Sequence, residues 1–339
     1  MRERLSETQA FHRTFAREEA LINILELFPE YTRLNARSNE YEYSAALTKK
    51  GKLLTNRRKL SDPGEIISPL QNGHDRVKKY IIAEGDIVPP LIDMGVMTRD
   101  GSIVKRMHDK YRQINRFLEM VGDMDYSGHE NLTILDFGCG KSYLTFILYH
   151  FFAEIKKIPV SITGVDLKED VIAECTALAE KYGYKNLSFA AGDIDDFRDG
   201  APVDMVVSLH ACDTATDRAI YAAVRRGAKY IFAAPCCQHE INSQIGGGAL
   251  PLLTRHGAIR QRAASLLTDA IRGNCLTALG YRTQIMEFVD LCHTPKNLLI
   301  RAIKTRVPET ERTRALNEIT EACGTLGVRP RLCELLGFI

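Results

Sequence analysis

No apolar run in the 339 residues approaches the roughly 18 that a membrane-spanning helix requires. The richest run, YLTFILYHFF at 143–152, is too short. The opening MRERLSETQAFHRTFAREEA is charged and lacks the apolar centre of a secretory signal. The nine cysteines are odd in number and follow no regular framework, which argues against a disulfide-stapled secreted domain. Large net charge is missing as well, at +2, and there is no internal repeat or low-complexity segment. These absences leave the expectation of a cytoplasmic globular protein with reduced thiols and no membrane association. A hydrophobic content of 45% and a charged content of 26% are ordinary for one large domain or two smaller ones.

Charge is unevenly spread. KKGKLLTNRRK at 49–59 holds six basic residues and no acid, and VKRMHDKYRQINR at 104–116 holds five against one. Residues 129–200 carry seven basic and twelve acidic residues. Basic patches beside a more acidic region suit a polyanion held by its phosphates, although a solvated charged face gives the same pattern.

Hydrophobic periodicity predicts an amphipathic helix over 8–28, a hairpin or short helices over 39–60, a strand over 77–82 and a long helix over 103–121. From 132 onward, short apolar runs alternate with helical stretches: LTILDFG, VSITGVDL, NLSFAAGDI, VDMVVSLHA and KYIFAAPCC. A helix over 259–279 and the runs YRTQIMEFVDL and NLLIRAIKT follow. This alternation predicts an α/β fold with helices on both faces of a parallel sheet.

LDFGCGKS at 135–142 reads as a strand, a Gly-X-Gly turn and a helix start. Glycine permits positive φ there and lets a ligand approach the backbone. A second strand ends at Asp166, twenty-six residues after Gly140, where an acid can accept ribose hydroxyls. A third ends in Gly-Asp-Ile, so that Asp193 and Ile194 can reach an adenine edge. Tyr143 occupies the position where a dinucleotide fingerprint needs its third glycine. Asp136, just before the turn, would repel a pyrophosphate and suits a cationic ligand.

Asp136, Gly138, Gly140, Lys141, Asp166, Asp193, Ile194 and Leu209 together resemble the cofactor site of class I S-adenosylmethionine-dependent methyltransferases. The resemblance covers about 132–304 and implies a Rossmann-like seven-stranded sheet with S-adenosyl-L-methionine across the strand ends. LHACDTATD, PCCQH and DKYRQINRFLE narrow it to the "methyltransferase domain 32" group. That group includes the C-terminal domain of a glutathione S-transferase-like protein, a ribosomal-RNA-dimethylase-like protein and tRNA acceptor-stem 2′-O-methyltransferases. The zinc-binding N-terminal modules of the tRNA enzymes are not seen here. The expected organisation is an N-terminal mixed α/β substrate-recognition region at 1–103, a methyltransferase domain at 104–307 and a helical tail at 308–339.

In such a sheet the loops after the fourth and fifth strands lie over the cofactor. They bring His210, Cys212 and Asp213 toward Cys236, Cys237 and His239 as catalytic candidates. Four readings remain open for them. Adjacent Cys-Cys is poor zinc spacing, so no metal is assigned. A thiolate could add to C6 of a pyrimidine, as in RNA cytosine-5 methyltransferases, whose cysteines follow the same strands. The groups could shape the cleft and accept a proton from the attacking hydroxyl or amine. They could also be buried inert thiols. The Asn/Asp-Pro-Pro-Tyr/Phe motif of adenine-N6 and glutamine methyltransferases is absent. His293, opening the last strand, could reach the cleft or cap its turn. The expected acceptor is RNA, tRNA or rRNA, at a 2′-hydroxyl or base nitrogen. Lys49, Lys50, Lys52, Arg57, Arg58 and Lys59 would contact its phosphates, joined by Lys105, Arg106 and Lys110. The alternatives are a protein or small-molecule acceptor, or a non-catalytic module that binds cofactor or RNA.

Overall fold

The computed structural model describes residues 2–5, 10–13, 19, 22, 32–37, 41–48, 51–59, 80–209, 211–235, 237–245, 251–287 and 298–339. The chain divides into two compact units, Met1–Lys78 and Lys79–Ile339.

In the first unit, β1 (Arg2–Leu5) pairs antiparallel with β2 (Ala10–Arg13). The strand at Ala10–Arg13 replaces part of the helix expected over 8–28, while Glu19 and Ile22 within that span are helical. Helical periodicity is a weak prior, and a pairing partner overrides it. A three-stranded antiparallel sheet follows, in the order β3 (Arg33–Arg37), β4 (Tyr41–Leu47), β5 (Leu53–Lys59). Of the two options open for 39–60, the hairpin is the one that forms. Its turn is closed by Gly51, at φ 76°, whose N–H donates to the Thr48 carbonyl at 2.9 Å.

The second unit is built on a seven-stranded sheet of β6 (Leu132–Phe137), β7 (Val160–Asp166), β8 (Leu187–Ala191), β9 (Met205–Ser208), β10 (Tyr230–Ala233), β11 (Tyr281–Glu287) and β12 (Leu298–Lys304). The strand order is β11-β12-β10-β9-β6-β7-β8. Only β12 runs against its neighbours. Side chains alternate across it: Leu132 and Ile134 enter the core on one face, Leu135 and Phe137 that on the other. Both faces are covered, so the strands read as near-continuous apolar runs. The order reverses between β6 and β9, and a crevice opens outside the carboxyl ends of strands at such a point.

Residues 80–82 are not a strand, contrary to expectation. The Ile82 N–H goes to Asn115 Oδ1 at 2.9 Å, and its carbonyl accepts the Tyr111 hydroxyl at 2.6 Å. Side chains of the following helix thus take the place of a ladder. Residues 79–103, assigned from sequence to the N-terminal region, fall in the second unit. Ile82, Val88, Leu91 and Val96 are buried in the same core as Ile134. The helices of the tail, Glu309–Leu326 and Arg331–Leu336, bury Ile319, Cys323, Leu332 and Cys333 in the core on the opposite face, so the tail is part of this body. Among the described residues no helix is long and apolar enough to cross a membrane.

Candidate active site

At the carboxyl end of β6 the chain turns through Gly138 (φ 69°), Cys139, Gly140 (φ 51°), Lys141 and Ser142 (φ 55°) into α3 (Tyr143–His150), where α1 is Pro89–Asp93 and α2 is His108–Gly122. Two constraints demand glycine at 138. Its φ is left-handed, and a Cβ would sit 3.1 Å from the backbone nitrogen of Ala211 in the loop after β9. At Gly140 an added Cβ would meet nothing within 4 Å, so the space above this turn is open. The N–H groups of Gly138 and Cys139 both donate to the Val165 carbonyl, at 2.8 and 3.1 Å, anchoring the turn to β7.

Asp166 closes β7 beside this opening. Its Oδ2 accepts the Gly140 N–H at 2.9 Å and its Oδ1 the Lys168 N–H at 3.1 Å. Each oxygen has only one of these bonds, and a carboxylate oxygen can accept two. The next residue, Leu167, is 68% exposed and offers apolar surface beside the acid. Gly192 is tied to the Asp166 carbonyl through its N–H at 3.0 Å, which brings Asp193 and buried Ile194 to the same edge. Asp193 Oδ1 is engaged by Arg218 at 2.5 Å and by the Asp195 N–H at 3.0 Å. Asp136 lies beneath, 5% exposed, and accepts the Thr145 hydroxyl at 2.5 Å. Burial pushes its pKa up to about 7; the Thr145 bond opposes this and the nearby Asp166 charge adds to it. Leu209 is buried at the end of β9.

The two cysteine-bearing loops meet through Asp213. Its φ of 53° and ψ of −125° are unusual for a residue with a Cβ. In that conformation its N–H donates to the Cys237 carbonyl at 3.1 Å. Its Oδ1 accepts the N–H groups of His239 and Glu240 at 2.8 and 3.2 Å, at the start of α6 (Glu240–Gln244), where α4 is Glu169–Tyr182 and α5 is Thr214–Arg225. The structure therefore places Cys212, Asp213, Cys237 and His239 together, with Cys212 and His239 exposed and Cys237 half-buried. His210, Cys236, His293, Lys49 and Lys50 lie outside the described residues. Among the described residues no group of three or more His, Cys, Asp or Glu side chains could hold a metal ion.

Below these loops lies a buried polar network that sequence reading missed. Arg272, on α8 (Gly257–Ala278, after α7 at Pro251–Thr254), forks onto Asp217 of α5 with two bonds of 2.8 Å. It also reaches Asp269 at 3.1 Å and the Asp213 carbonyl at 2.8 Å. Gln238, 2% exposed, donates to Asp269 at 3.0 Å and accepts from Ser265 at 2.5 Å. Burial alone would lower the Arg272 pKa, but Asp217 and Asp269 outweigh it and hold the guanidinium charged. Burial raises the pKa of Asp269 against the pull of Arg272. The signal was there in sequence: the charged residues Asp217, Asp269 and Arg272 fall on faces that otherwise carry small or apolar residues, such as Ala219, Ile220 and Ala223 on one helix and Ile271, Cys275 and Leu276 on the other. Thr145 and Arg218 gave no such signal.

Residues 109–244 match the family model described as a methyltransferase domain, over less than half of the chain. Over those residues the chain carries a methyltransferase domain. No curated protein matches the chain by sequence. Among solved structures it is similar to fibrillarin from Aeropyrum pernix with natively bound S-adenosyl-L-methionine, at 13% identity over 80% of this chain and 98% of that one, TM-score 0.38. It is similar to magnesium protoporphyrin IX methyltransferase from Synechocystis PCC 6803, at 15% identity over 66% and 88%, TM-score 0.35. It is also similar to the citrinin polyketide synthase CMeT domain, at 14% identity over 61% of this chain and 54% of that one, TM-score 0.37. The chain thus spans about half the length of that last relative.

The strand edge has features that could hold a nucleoside-bearing cofactor. The open space above Gly140, the half-used oxygens of Asp166 and the exposed Leu167 lie at one strand edge. Asp166 has oxygens that could accept ribose hydroxyls there, and Asp193 with Ile194 could meet an adenine edge. Asp136 and Asp166 give the crevice a negative character suited to a sulfonium.

Proposed function

We propose that this methyltransferase acts on RNA, at a 2′-hydroxyl or a base nitrogen. The observation that carries the reading is the charge of the sheet β3-β4-β5: its described residues include Arg33, Arg37, Lys52, Arg57, Arg58 and Lys59 against the single acid Glu42. Polyanion binding is the ordinary use of such a bias. Exposed Lys105 and Arg106, before α2, add positive charge on the methyltransferase unit. The likeness of LHACDTATD and PCCQH to a group with tRNA-modifying members agrees with it.

S-adenosylmethionine supplies, when bound, a methyl group already made electrophilic by its sulfonium. The chain's part is therefore to orient the acceptor and take its proton. His239, exposed at the start of α6, is the described candidate for proton acceptor, and His210 is the candidate outside the described residues. Asp213 is better cast as a positioning residue, since its Oδ1 already caps two backbone N–H groups of the cysteine loop. A second reading, a thiolate adding to a pyrimidine C6, draws support from exposed Cys212 lying next to the residue that bonds Cys237.

The test is to incubate the protein with tritiated cofactor and extract from a strain lacking its gene, then separate RNA, protein and small molecules. Label in nucleosides of one RNA class is expected; label confined to protein or small molecules contradicts the reading. With about four phosphate contacts, RNA affinity should fall about fifty-fold when salt rises fourfold. Loss of transfer in Cys212→Ser, with a covalent adduct to a 5-fluoropyrimidine RNA, would establish the thiol chemistry instead.

A further inference from the structure

The N-terminal sheet sorts its side chains by chemistry. Antiparallel register places Leu34, Ala45 and Thr55 in one row and Ala36, Tyr43 and Arg57 in the next. Tyr41 and Lys59 form a third row. Alternation puts all three rows on the same face. Glu42 falls on the opposite face, in a row with Arg37 and Arg58. The Tyr-bearing face therefore holds Arg57 and Lys59 and, among the described residues, no acid.

That face is shaped and polarised for planar groups. A depression of about 370 Å³ is lined by Leu34, Tyr43, Ala45, Thr55 and Arg57 of this face, together with Ser44 and Asn56 of the intervening row. Ligand clefts run from about 300 to 1,000 Å³, so this one is sized for a single small group. Tyr43 is 40% exposed and Leu34 is 38% exposed, although both are large and apolar in body. The Arg57 guanidinium lies 3.6 Å above the centroid of Tyr41 and 5.9 Å from that of Tyr43. An arginine held flat on a tyrosine presents both a stacking plane and a fixed positive charge.

We infer that this face is a stacking site for unpaired RNA bases, with Tyr43 and Arg57 as the platform and Lys59 beside it for the backbone. The inference rests on the reading of the acceptor as RNA and narrows it to single-stranded segments, loops or ends. Base pairs in a duplex hide their π faces inside the stack, whereas an unpaired base offers its face to an aromatic side chain. Two cations without an acid complement the phosphates that flank such a base.

The test measures binding of the full-length protein to a short labelled RNA, free and annealed to its complement. The chain contains no tryptophan and thirteen tyrosines, so the part of the emission quenching that Tyr43→Phe removes reports stacking on Tyr43. The expected result is at least about tenfold preference for the single strand and quenching on binding. Tyr43→Leu keeps the apolar contact but removes the π face and should weaken binding about tenfold, while Tyr43→Phe stays within about twofold of wild type. Arg57→Gln should weaken binding and reduce the salt slope by about 0.7. Equal affinity for duplex and single strand overturns the inference, as does unchanged binding in Tyr43→Leu or displacement of the RNA by an equimolar acidic peptide. Label transfer to RNA with unaltered affinity in the Tyr43 variants sinks this inference and leaves the acceptor reading. Tyr43-dependent binding of RNA that never acquires label sinks the acceptor reading and leaves the stacking site.

Discussion

Two aspartates do different work in the crevice. Asp136 is buried, and its pKa is pushed up to about 7, so the fold binds its proton more tightly than an unfolded chain does. Its stabilising contribution is complete below the ordinary carboxyl pKa near 4 and is lost as pH rises through about 7. A sulfonium cation nearby favours the ionised form, so binding of S-adenosylmethionine should release a proton around neutrality and tighten between about pH 6 and 8. Calorimetry in buffers of different ionisation heat should show this for the cofactor, and much less for the product S-adenosylhomocysteine, whose sulfur is an uncharged thioether. Asp136→Asn should abolish the buffer dependence, and buffer-independent heats in the wild type would contradict the placement. Asp213 acts through geometry instead. Asp213→Ala leaves the N–H groups of His239 and Glu240 without their cap, costing about 1–3 kcal/mol of stability. Methyl transfer should slow with cofactor affinity unchanged. Asp213→Asn keeps the accepting oxygen and should largely restore both; failure of that rescue would instead implicate the carboxylate charge in the chemistry.

At the scale of elements, the two cysteine-bearing loops are held from below by α5 and α8. Arg272 joins them through Asp217 and Asp269, all three almost fully buried. Arg272→Met would leave two buried carboxyl groups without their cation, a loss of about 3–5 kcal/mol. That corresponds to a fall of about 10 °C in Tm near pH 8. Because the stranded acids escape the penalty by protonation, the deficit should shrink toward pH 5. A deficit that does not change with pH would mean that lost packing, not charge, is responsible. The sheet was legible in sequence because its central strands are apolar runs bounded by turn residues, as with Leu132–Phe137 before Gly138 or Met205–Ser208. Elements whose partners are remote in sequence were not legible. The 80–82 segment reads as a strand until Asn115 and Tyr111 are seen to satisfy Ile82. The strand at Ala10–Arg13 was missed for a different reason: its partner Arg2–Leu5 is close in the chain, but the helical periodicity of the longer stretch masked the hairpin.

For the whole molecule, turn chemistry and spacing, both local properties, singled out Gly138, Gly140, Asp166, Asp193 and Ile194, which the structure brings to one strand edge. It could not reveal that Asp193 is shared with Arg218, or that Asp213 fastens one loop to another, because those bonds span about 25 residues or more. Nor could it reveal that residues 79–103 and the C-terminal helices belong to the same unit as the sheet, since burial there depends on which face each helix finds. At the carboxyl ends of β6, β7 and β8, Asp166 is proposed to hold the ribose. Calorimetric titration with S-adenosylmethionine tests that most directly. Saturable binding of one equivalent is expected for the wild type, weakened at least about tenfold in Asp166→Ala, where the ribose hydroxyls lose a charged acceptor. Absence of binding in the wild type, or undiminished affinity in the variant, would contradict it.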